Sequence, residues 1–230
     1  MTKVQEVLTK SKYIILDADG TLFDVMGKYA RYFGDLLEIK YDCDREMAIV
    51  SFFVSAGISV DKQFEAVLNE QGIQFRQEEI DQLVETFFEF IRSQTDANPF
   101  DDVLVFFNWL SANDKILFLS SGSPTDALVS RLKKLGLFDR FSAVMGSDVI
   151  LKSEEHIKAF AKQIGVSFQD FVNNACVVGD GPHDMEIARE SEIFAIGLIR
   201  GAENIDYRSG KMKKAGANHI ICSLKELVSN

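Results

Sequence analysis

The chain contains few residues of the kinds that mark secreted, disulfide-bonded or zinc-binding proteins. Only three of its 230 residues are cysteines, and Cys43, Cys176 and Cys222 include no CxxC pair. Such an odd and widely spaced set predicts free or buried thiols in a reducing compartment. The first twelve residues are mixed and polar and lack the apolar core of a secretory signal, so the cytoplasm is the expected location.

Two further absences exclude other classes of protein. No uninterrupted apolar run approaches the roughly 20 residues that a membrane-spanning helix requires. Basic residues are in the minority, with 25 lysines and arginines against 35 acidic residues, and the formal net charge is −10. That charge argues against a nucleic-acid partner, which would need a basic surface, although a local cation can still attract a phosphorylated metabolite.

Short apolar runs that favour strands alternate with helix-like segments over most of the chain. The runs are 13–16, 116–119, 143–145, 175–178 and 194–199, and helix-like segments near 124–135, 153–164 and 182–191 separate the last four. This alternation predicts an α/β fold with a parallel sheet that is covered on both faces. A final short strand within 215–221 and a terminal helix capped by Ser223 are also expected.

The interval between the first two strands breaks this alternation. From Val25 to about Asn98 the sequence has helical periodicity, with apolar stripes such as Ile49, Phe52, Phe53 and Ala56, or Ile80, Leu83, Val84, Phe87, Phe88 and Ile91. They predict an all-helical insert with a small core of its own, ended by Pro99. The predicted organisation is a core domain of residues 1–24 and 99–230 and a helical domain of residues 25–98.

Two groups of polar residues follow the first two of these strands. Asp17-Ala18-Asp19-Gly20-Thr21 comes directly after the first strand, and Ser120-Ser121-Gly122-Ser123 follows the second. Two carboxylates two residues apart at a strand end face broadly the same opening, and Gly20 allows a tight exit from it. Hydroxyl and N–H groups at a helix N-terminus, as in the serine run, can bind an anion.

Two more groups follow the next two strands. Lys152 lies at the start of a helix after the third strand, and Gly179-Asp180-Gly181-Pro182-His183-Asp184 follows the fourth. Two carboxylates around a Gly-Pro turn suit a hard divalent cation, which prefers oxygen ligands. Because the carboxyl ends of the strands in an open α/β sheet meet at one crevice, all four groups are expected to meet there.

In this order and spacing, the four groups resemble the motifs of the haloacid dehalogenase-like hydrolase superfamily, in its branch with a helical cap between the first and second motifs. Residues 17–21 match the first motif, Ser121 and Gly122 the second, Lys152 the third and residues 179–184 the fourth. The resemblance spans the whole chain. It implies a Rossmann-like parallel sheet with an all-helical cap domain inserted after the first strand.

The resemblance also implies roles for the carboxylates. Asp17 would be the nucleophile that forms an aspartyl-phosphate, and Asp19 would protonate the leaving oxygen and then activate water. Mg²⁺ would be held by Asp17, Asp180 and the backbone carbonyl of Asp19, while Asp184 would orient its waters or bind as an outer ligand. His183, beside this loop, is expected to be a bystander.

Three donors would bind the phosphoryl group in a protein of this family: Lys152, Ser121 and the Gly122 amide. One residue departs from the family pattern, in which the third-motif lysine is often followed by proline, whereas Ser153 follows it here. Lys158 therefore remains a rival for the role of Lys152.

These assignments predict a phosphatase that acts on small phosphorylated metabolites as a monomer or homodimer. An acid at Asp19 favours phosphoryl transfer over halide displacement, and a cap excludes bulky substrates. A phosphomutase that acts on sugar phosphates would use the same motifs and remains an alternative. Phosphonate hydrolysis would need a Schiff-base lysine in the cap, for which nothing selects Lys28, Lys40 or Lys62. A non-catalytic binding module is a further alternative, although all four motif carboxylates are present.

The determinants of substrate specificity are expected in the cap and its hinges, near residues 25–31, 56–59 and 98–100. Lys28 and Arg31 could bind an anionic substrate tail, with solvated helix charges as the alternative interpretation.

Overall fold

Six parallel strands form one sheet in the computed structural model, which describes residues 1–55, 58–96, 98–201 and 205–228. The strands are β1 Tyr13–Leu16, β2 Ile116–Ser120, β3 Phe141–Met145, β4 Ala175–Gly179, β5 Phe194–Leu198 and β6 His219–Ile221. Their order in the sheet is β3-β2-β1-β4-β5-β6. Each predicted strand is present, although the last is shorter than the segment expected for it.

The first strand lies at the centre of the sheet, where the strand order reverses. Leu16 of β1 is in register with Leu119 of β2 on one side and with Val178 of β4 on the other. Ile14 and Leu16 belong to one hydrophobic cluster and Tyr13 and Ile15 to another, so β1 is buried on both faces. A crevice therefore opens at the carboxyl ends of β1, β2 and β4.

Eleven helices are found in the described part of the chain, and they cover both faces of the sheet or form the insert. They are α1 Lys3–Lys10, α2 Met26–Tyr41, α3 Arg45–Val54, α4 Val60–Glu70, α5 Gln77–Ser93, α6 Val103–Ala112, α7 Thr125–Lys134, α8 Glu154–Gln163, α9 Phe168–Asn173, α10 Pro182–Glu190 and α11 Ile205–Ala215. Short 3-10 turns span Phe138–Arg140 and Leu224–Leu227, the second of which is capped by Ser223 as predicted.

Helices α2 to α5 form the predicted helical insert between β1 and β2, and aromatic rings fill its core. The ring of Phe33 stacks on that of Phe64 with their centroids 4.3 Å apart, and Phe87 meets both edge-on. Phe53, which the sequence placed in an apolar stripe, is 48% exposed instead, because Phe52 takes the buried position of α3. Ala56 of the same stripe lies outside the described residues.

The two chain segments that join the insert to the sheet domain run side by side. Phe23 and Pro99 form an antiparallel bridge, Asp24 N donates to Asn98 O at 3.2 Å, and Phe100 N donates to Leu22 O at 3.0 Å. This pairing lies at the predicted domain boundaries, which themselves remain a prediction.

Two further features are the state of the cysteines and the character of the helices. Cys43 and Cys176 are buried and Cys222 is exposed, and all three are free thiols, as expected. Within the described ranges, no helix combines the length and apolar character needed to cross a membrane.

Candidate active site

The loop after β1 is shaped by its contact with the loop after β4. Gly20 has a φ of 85°, in the left-handed region that favours glycine. A Cβ atom at this position would also collide with the carboxylate of Asp180. The glycine predicted to give a tight exit thus also lets the first and fourth polar groups approach each other.

A buried lysine joins the third polar group to the first and fourth. Lys152 is 8% exposed, and its Nζ lies 2.6 Å from Asp17 Oδ1 and 2.7 Å from Asp184 Oδ1. Asp184 Oδ2 also accepts a hydrogen bond from Gly181 N at 3.2 Å, which fixes the carboxylate at the start of α10. The structure therefore brings these predicted residues together at one edge of the sheet.

The charges in this group are unbalanced. Burial raises the pKa of Asp17 to about 6, against the opposing effect of the Lys152 ammonium. Burial and then the negative charge of Asp17 raise the pKa of Asp180 well above its usual range. Burial disfavours the Lys152 ammonium, but Asp17 and Asp184 outweigh that effect and raise its pKa. One ammonium thus faces three carboxylates.

The donor set fits a hard divalent cation. Asp17, Asp180 and Asp184 each offer one carboxylate oxygen, and these oxygens lie within 4.8 Å of one another. A cation there would offset the repulsion that raises the pKa of Asp180, and oxygen donors are those that Mg²⁺ prefers. Asp184 is thus a member of this group, and its expected role as an outer ligand or as a residue that orients bound water stays a prediction.

Several hydrogen bonds fix the loop that carries Lys152. Its backbone N donates to Ser147 Oγ at 3.1 Å, and its carbonyl oxygen lies 3.0 Å from His183 Nε2. His156, which is fully buried, holds the carbonyl of Ile150 at 2.8 Å through Nε2. His183 therefore contacts the backbone of the segment that presents the lysine, and its expected place as a bystander in the chemistry stays a prediction.

The rival lysine lies away from this group. Lys158 is exposed on α8, where Nζ pairs with Glu154 at 2.5 Å and Glu155 at 2.7 Å. Of these two lysines, Lys152 is therefore the one that contacts the carboxylates at the strand ends.

The serine run after β2 forms a turn at the mouth of the cavity. Ser121 is 1% exposed, and its Oγ accepts a hydrogen bond from Ser123 N at 3.1 Å. Gly122 is exposed, and all three residues line the same cavity as Asp17 and Lys152. The turn therefore presents hydroxyl and backbone groups where an anion beside Lys152 could meet them.

An arginine that the sequence reading missed holds Asp19. Arg131 Nη1 lies 2.6 Å from Asp19 Oδ1, and Ser123 Oγ donates to Asp19 Oδ2 at 2.5 Å. Arg131 is 1% exposed, and its Nη2 also donates to the hydroxyl of Tyr29, in the insert helix α2, at 2.6 Å. Both oxygens of Asp19 therefore have hydrogen-bond partners outside the cluster formed by Asp17, Asp180 and Asp184.

The sequence did contain a signal for Arg131. Ala127, Leu128 and Leu132 form the buried face of α7, and Arg131 lies four residues after Ala127 and three after Leu128. A cation on the apolar face of an amphipathic helix indicates a buried anionic partner.

Replacing Arg131 by leucine should lower the free energy of unfolding by about 3 kcal/mol, because it leaves Asp19 without its cation in a buried setting. Urea denaturation of Asp19→Ala, Arg131→Leu and the double variant measures the coupling, and the double variant should lose less than the sum of the single ones. Arg92→Leu is the matched control, since Arg92 pairs with Asp126 on the surface and should cost less than about 1 kcal/mol. Strict additivity at Asp19 and Arg131 would contradict the pairing.

The cavity above these residues has an empty volume of about 590 Å³, part of it open to solvent. The sheet domain contributes its floor, and the helical insert contributes the facing wall through Met26, Tyr29, Phe52, Ile58, Val60, Gln63, Phe87 and Ile91. A small molecule that reached Asp17 would therefore contact both domains.

Comparisons with known proteins agree with this fold. A family model described as haloacid dehalogenase-like hydrolase matches residues 12–191, which include all of the residues placed at the site. No curated protein sequence matches the chain significantly.

Three solved structures are similar over nearly the whole chain. A haloacid dehalogenase-like family hydrolase from Streptococcus pneumoniae superposes with a TM-score of 0.74 at 18% identity, covering 96% of this chain and 98% of that one. A predicted phosphatase from Clostridium acetobutylicum gives 0.74 at 21% identity, with 94% and 96% covered. A predicted phosphoglycolate phosphatase from Haemophilus somnus gives 0.72 at 15% identity, with 95% and 97% covered. At these identities the likeness shows the fold.

Proposed function

The chain belongs to the haloacid dehalogenase-like hydrolase family, and from this premise we propose that it is a phosphatase. It transfers the phosphoryl group of a small phosphorylated metabolite to Asp17 and then to water. The observation that carries the proposal is the different surroundings of two carboxylates that leave the same strand. Asp17 lies against Lys152 and the acidic cluster, whereas Asp19 is held by Arg131 and Ser123. Different surroundings give neighbouring carboxylates different tasks.

Asp17 is the nucleophile in this proposal. Its carboxylate lines the cavity and is 6% exposed, and Lys152 holds it in one orientation through Oδ1. Attack of an Asp17 oxygen on phosphorus forms the aspartyl-phosphate and breaks the bond to the leaving oxygen. Water then attacks the phosphorus of that intermediate and releases inorganic phosphate and the free carboxylate.

Asp19 moves the protons. It gives a proton to the leaving oxygen in the first step and takes one from the attacking water in the second. Arg131 and Ser123 hold its two oxygens in the structure, so Asp19 has to exchange one of these contacts for the substrate. Tyr29 connects Arg131 to the insert, and a shift of α2 would therefore act on Asp19 through a single side chain.

Asp17, Asp180 and the backbone carbonyl of Asp19 would hold Mg²⁺, with Asp184 close enough to serve as a further ligand or to orient bound water. The ion supplies positive charge that reduces the repulsion between a phosphate dianion and the carboxylates. Lys152 adds one positive charge to the phosphoryl site, and Ser121 and the Gly122 amide donate hydrogen bonds to phosphoryl oxygens.

A phosphatase is favoured over a phosphomutase by the wall opposite Asp17. A mutase that works through a bisphosphate must hold a second phosphate in the cavity, and that group needs a cation. Among the described residues that line the cavity, the only cationic side chain is Lys152, which already pairs with Asp17 and Asp184. Phosphonate hydrolysis through a cap lysine is not supported either, since Lys28, Lys40 and Lys62 are all exposed outside the cavity.

Release of phosphate from p-nitrophenyl phosphate, with and without Mg²⁺, tests the proposal. We expect turnover that depends on the divalent cation. Inactivity with Mg²⁺, Mn²⁺ and Co²⁺ from mildly acidic to mildly alkaline pH would argue for the non-catalytic alternative. The cytoplasm and a monomeric or homodimeric state remain the expectations for the enzyme.

Replacing Asp19 by asparagine should affect poor leaving groups most. The value of kcat/KM reports formation of the aspartyl-phosphate, and an alkoxide leaving group needs the proton that Asp19 supplies. We expect kcat/KM for an alkyl phosphate to fall by about 100-fold or more, and that for p-nitrophenyl phosphate to fall much less. Asp24→Asn, an exposed neighbour on the same segment, is the control. Equal losses on both esters would show that Asp19 is not the acid.

A further inference from the structure

The two walls of the cavity differ in chemistry. The wall from the sheet domain carries the acids, Lys152 and the serine turn. The wall from the helical insert consists of apolar and aromatic side chains, with Gln63 and the Tyr29 hydroxyl as its only polar groups among the described residues. The phosphoryl group belongs at the first wall, so the leaving group of the substrate lies against the second.

Among the described residues, no cationic side chain belongs to this wall. Lys28 and Arg31, the two candidates for binding an anionic tail, are exposed and are not among the residues that line the cavity. Their exposure favours the interpretation of these two residues as solvated helix charges. The eight residues that the structure does not describe include no lysine or arginine. A carboxylate or second phosphate at the apolar wall would be buried without a counter-ion, which is strongly unfavourable.

The side-chain amide of Gln63 gives the apolar wall one hydrogen-bond acceptor. It is 5% exposed on α4, and its Nε2 donates to the carbonyl of Ile58 at 2.9 Å, which fixes the orientation of the amide. Gln63 lines the cavity, and its Oε1 is buried with no hydrogen-bond partner among the described residues. An amide oxygen accepts hydrogen bonds and does not donate them, so it would be satisfied by a hydroxyl or N–H group of a ligand.

We infer that the substrate is a phosphate monoester whose leaving group is uncharged, mainly apolar, and bears one hydrogen-bond donor for Gln63 Oε1. The inference rests on the proposed phosphatase activity and narrows its substrate class. Phosphoglycolate and sugar bisphosphates fall outside this class, whereas uncharged hydroxylated alkyl or aryl phosphates fall within it.

The charge requirement is tested with two esters that differ in one group. Phosphoglycolate ends in a carboxylate, and 2-hydroxyethyl phosphate ends in a hydroxymethyl group at the same position. Phosphate release should give a kcat/KM at least about 100-fold higher for 2-hydroxyethyl phosphate. Gln63→Lys places a cation at the wall and should shift this ratio toward phosphoglycolate by about 10-fold or more.

The hydrogen-bonding requirement is tested with benzyl phosphate and its hydroxymethyl derivative. Wild-type enzyme should prefer the hydroxylated ester, and Gln63→Met, which keeps the length of the side chain but removes Oε1, should reduce that preference by about 10-fold. Gln74→Met, at an exposed glutamine of the insert, is the matched control and should leave the preference as it is.

The outcomes separate this inference from the proposed function. If phosphoglycolate or a sugar bisphosphate is hydrolysed as well as 2-hydroxyethyl phosphate, the substrate class is wrong while the phosphatase activity stands. If Gln63→Met lowers kcat/KM equally for both benzyl esters, Gln63 supports the fold and does not recognise the substrate. If no ester, including p-nitrophenyl phosphate, releases phosphate, the proposed function fails and the inference fails with it.

Discussion

Replacing Asp17 by asparagine should reduce kcat by about 10⁴-fold or more in a protein that still folds. The asparagine amide is a poor nucleophile. The substitution also removes one of the three carboxylates that face Lys152. Asp17 is buried and its pKa is raised to about 6. At neutral pH its negative charge therefore lowers the free energy of unfolding when no divalent cation is bound. The variant should therefore melt no lower than the wild type when divalent cations are absent, which distinguishes a lost nucleophile from a lost fold.

Steady-state release of phosphate, with thermal unfolding followed on the same samples, measures both effects. Asp24→Asn is again the control, because it changes an exposed carboxylate on the same segment. Retention of wild-type kcat by Asp17→Asn would remove the nucleophile from the mechanism, whatever the other residues do.

Removal of divalent cations should stop turnover, with a loss of about 10⁴-fold, and readdition of Mg²⁺ should restore it. The same ion should stabilise the folded protein, because the three oxygens that fit it are brought together only by the fold. At an ion concentration of about 100 times Kd, the gain in free energy of unfolding is about 2.7 kcal/mol. Thermal unfolding with and without Mg²⁺ measures this gain.

Asp180→Asn should change stability in opposite directions under the two conditions. The pKa of Asp180 is raised in the folded state, so its stabilising contribution is fully present below the unfolded-state pKa and is lost as the pH rises through the folded-state value. At neutral pH without a cation, the negative charge of Asp180 lowers the free energy of unfolding, and the asparagine amide removes this effect. The variant should be more stable than the wild type without Mg²⁺ and less stable with it. Asp101→Asn, at an exposed carboxylate, should show neither effect, and an unchanged response to Mg²⁺ in Asp180→Asn would contradict the metal site.

The sequence could predict that the polar residues of the site lie close together, because this depends only on the order of the strands in the sheet. Asp17, Ser121 and Asp180 each follow a strand directly, and β2, β1 and β4 are neighbours in a parallel sheet. Side chains at the ends of adjacent parallel strands have to lie close together, whatever the details of packing. The helices with strong apolar periodicity, such as α5 and α7, were predicted for a related reason, since one buried face determines their pattern.

Other features depend on contacts that local sequence does not encode. The pairing of Arg131 with Asp19 and Tyr29 joins residues that are 112 and 102 positions apart. Helix α6, which is apolar at most of its positions, was not predicted. Helices α1, α9 and α11 were not predicted either, because α1 buries only Val4 and Leu8, α9 has six residues, and α11 buries only Met212 and Ala215. Their few buried side chains give little periodic signal. The contact between His183 and Lys152 depends on the path of the loop before Lys152 in the same way.

The chemistry of the cap wall could be recognised only in the folded chain. Gln63 and Ile91 lie on different helices, and neither forms part of a motif. The sequence offered Lys28 and Arg31 as binding residues, and the fold turns both toward solvent. Substrate recognition by an inserted domain thus depends on which face of each helix meets the cavity.

The central claim is that the phosphoryl group passes through Asp17, and trapping of the intermediate tests it most directly. The enzyme is mixed with p-nitrophenyl phosphate and Mg²⁺, quenched in acid during turnover, digested and analysed by mass spectrometry. We expect one phosphorylated peptide, with the phosphoryl group on Asp17, that is absent from Asp17→Asn and accumulates when hydrolysis of the intermediate is slowed in Asp19→Asn. A phosphoryl group on another side chain, or turnover with no phosphorylated peptide at any quench time, would contradict the account.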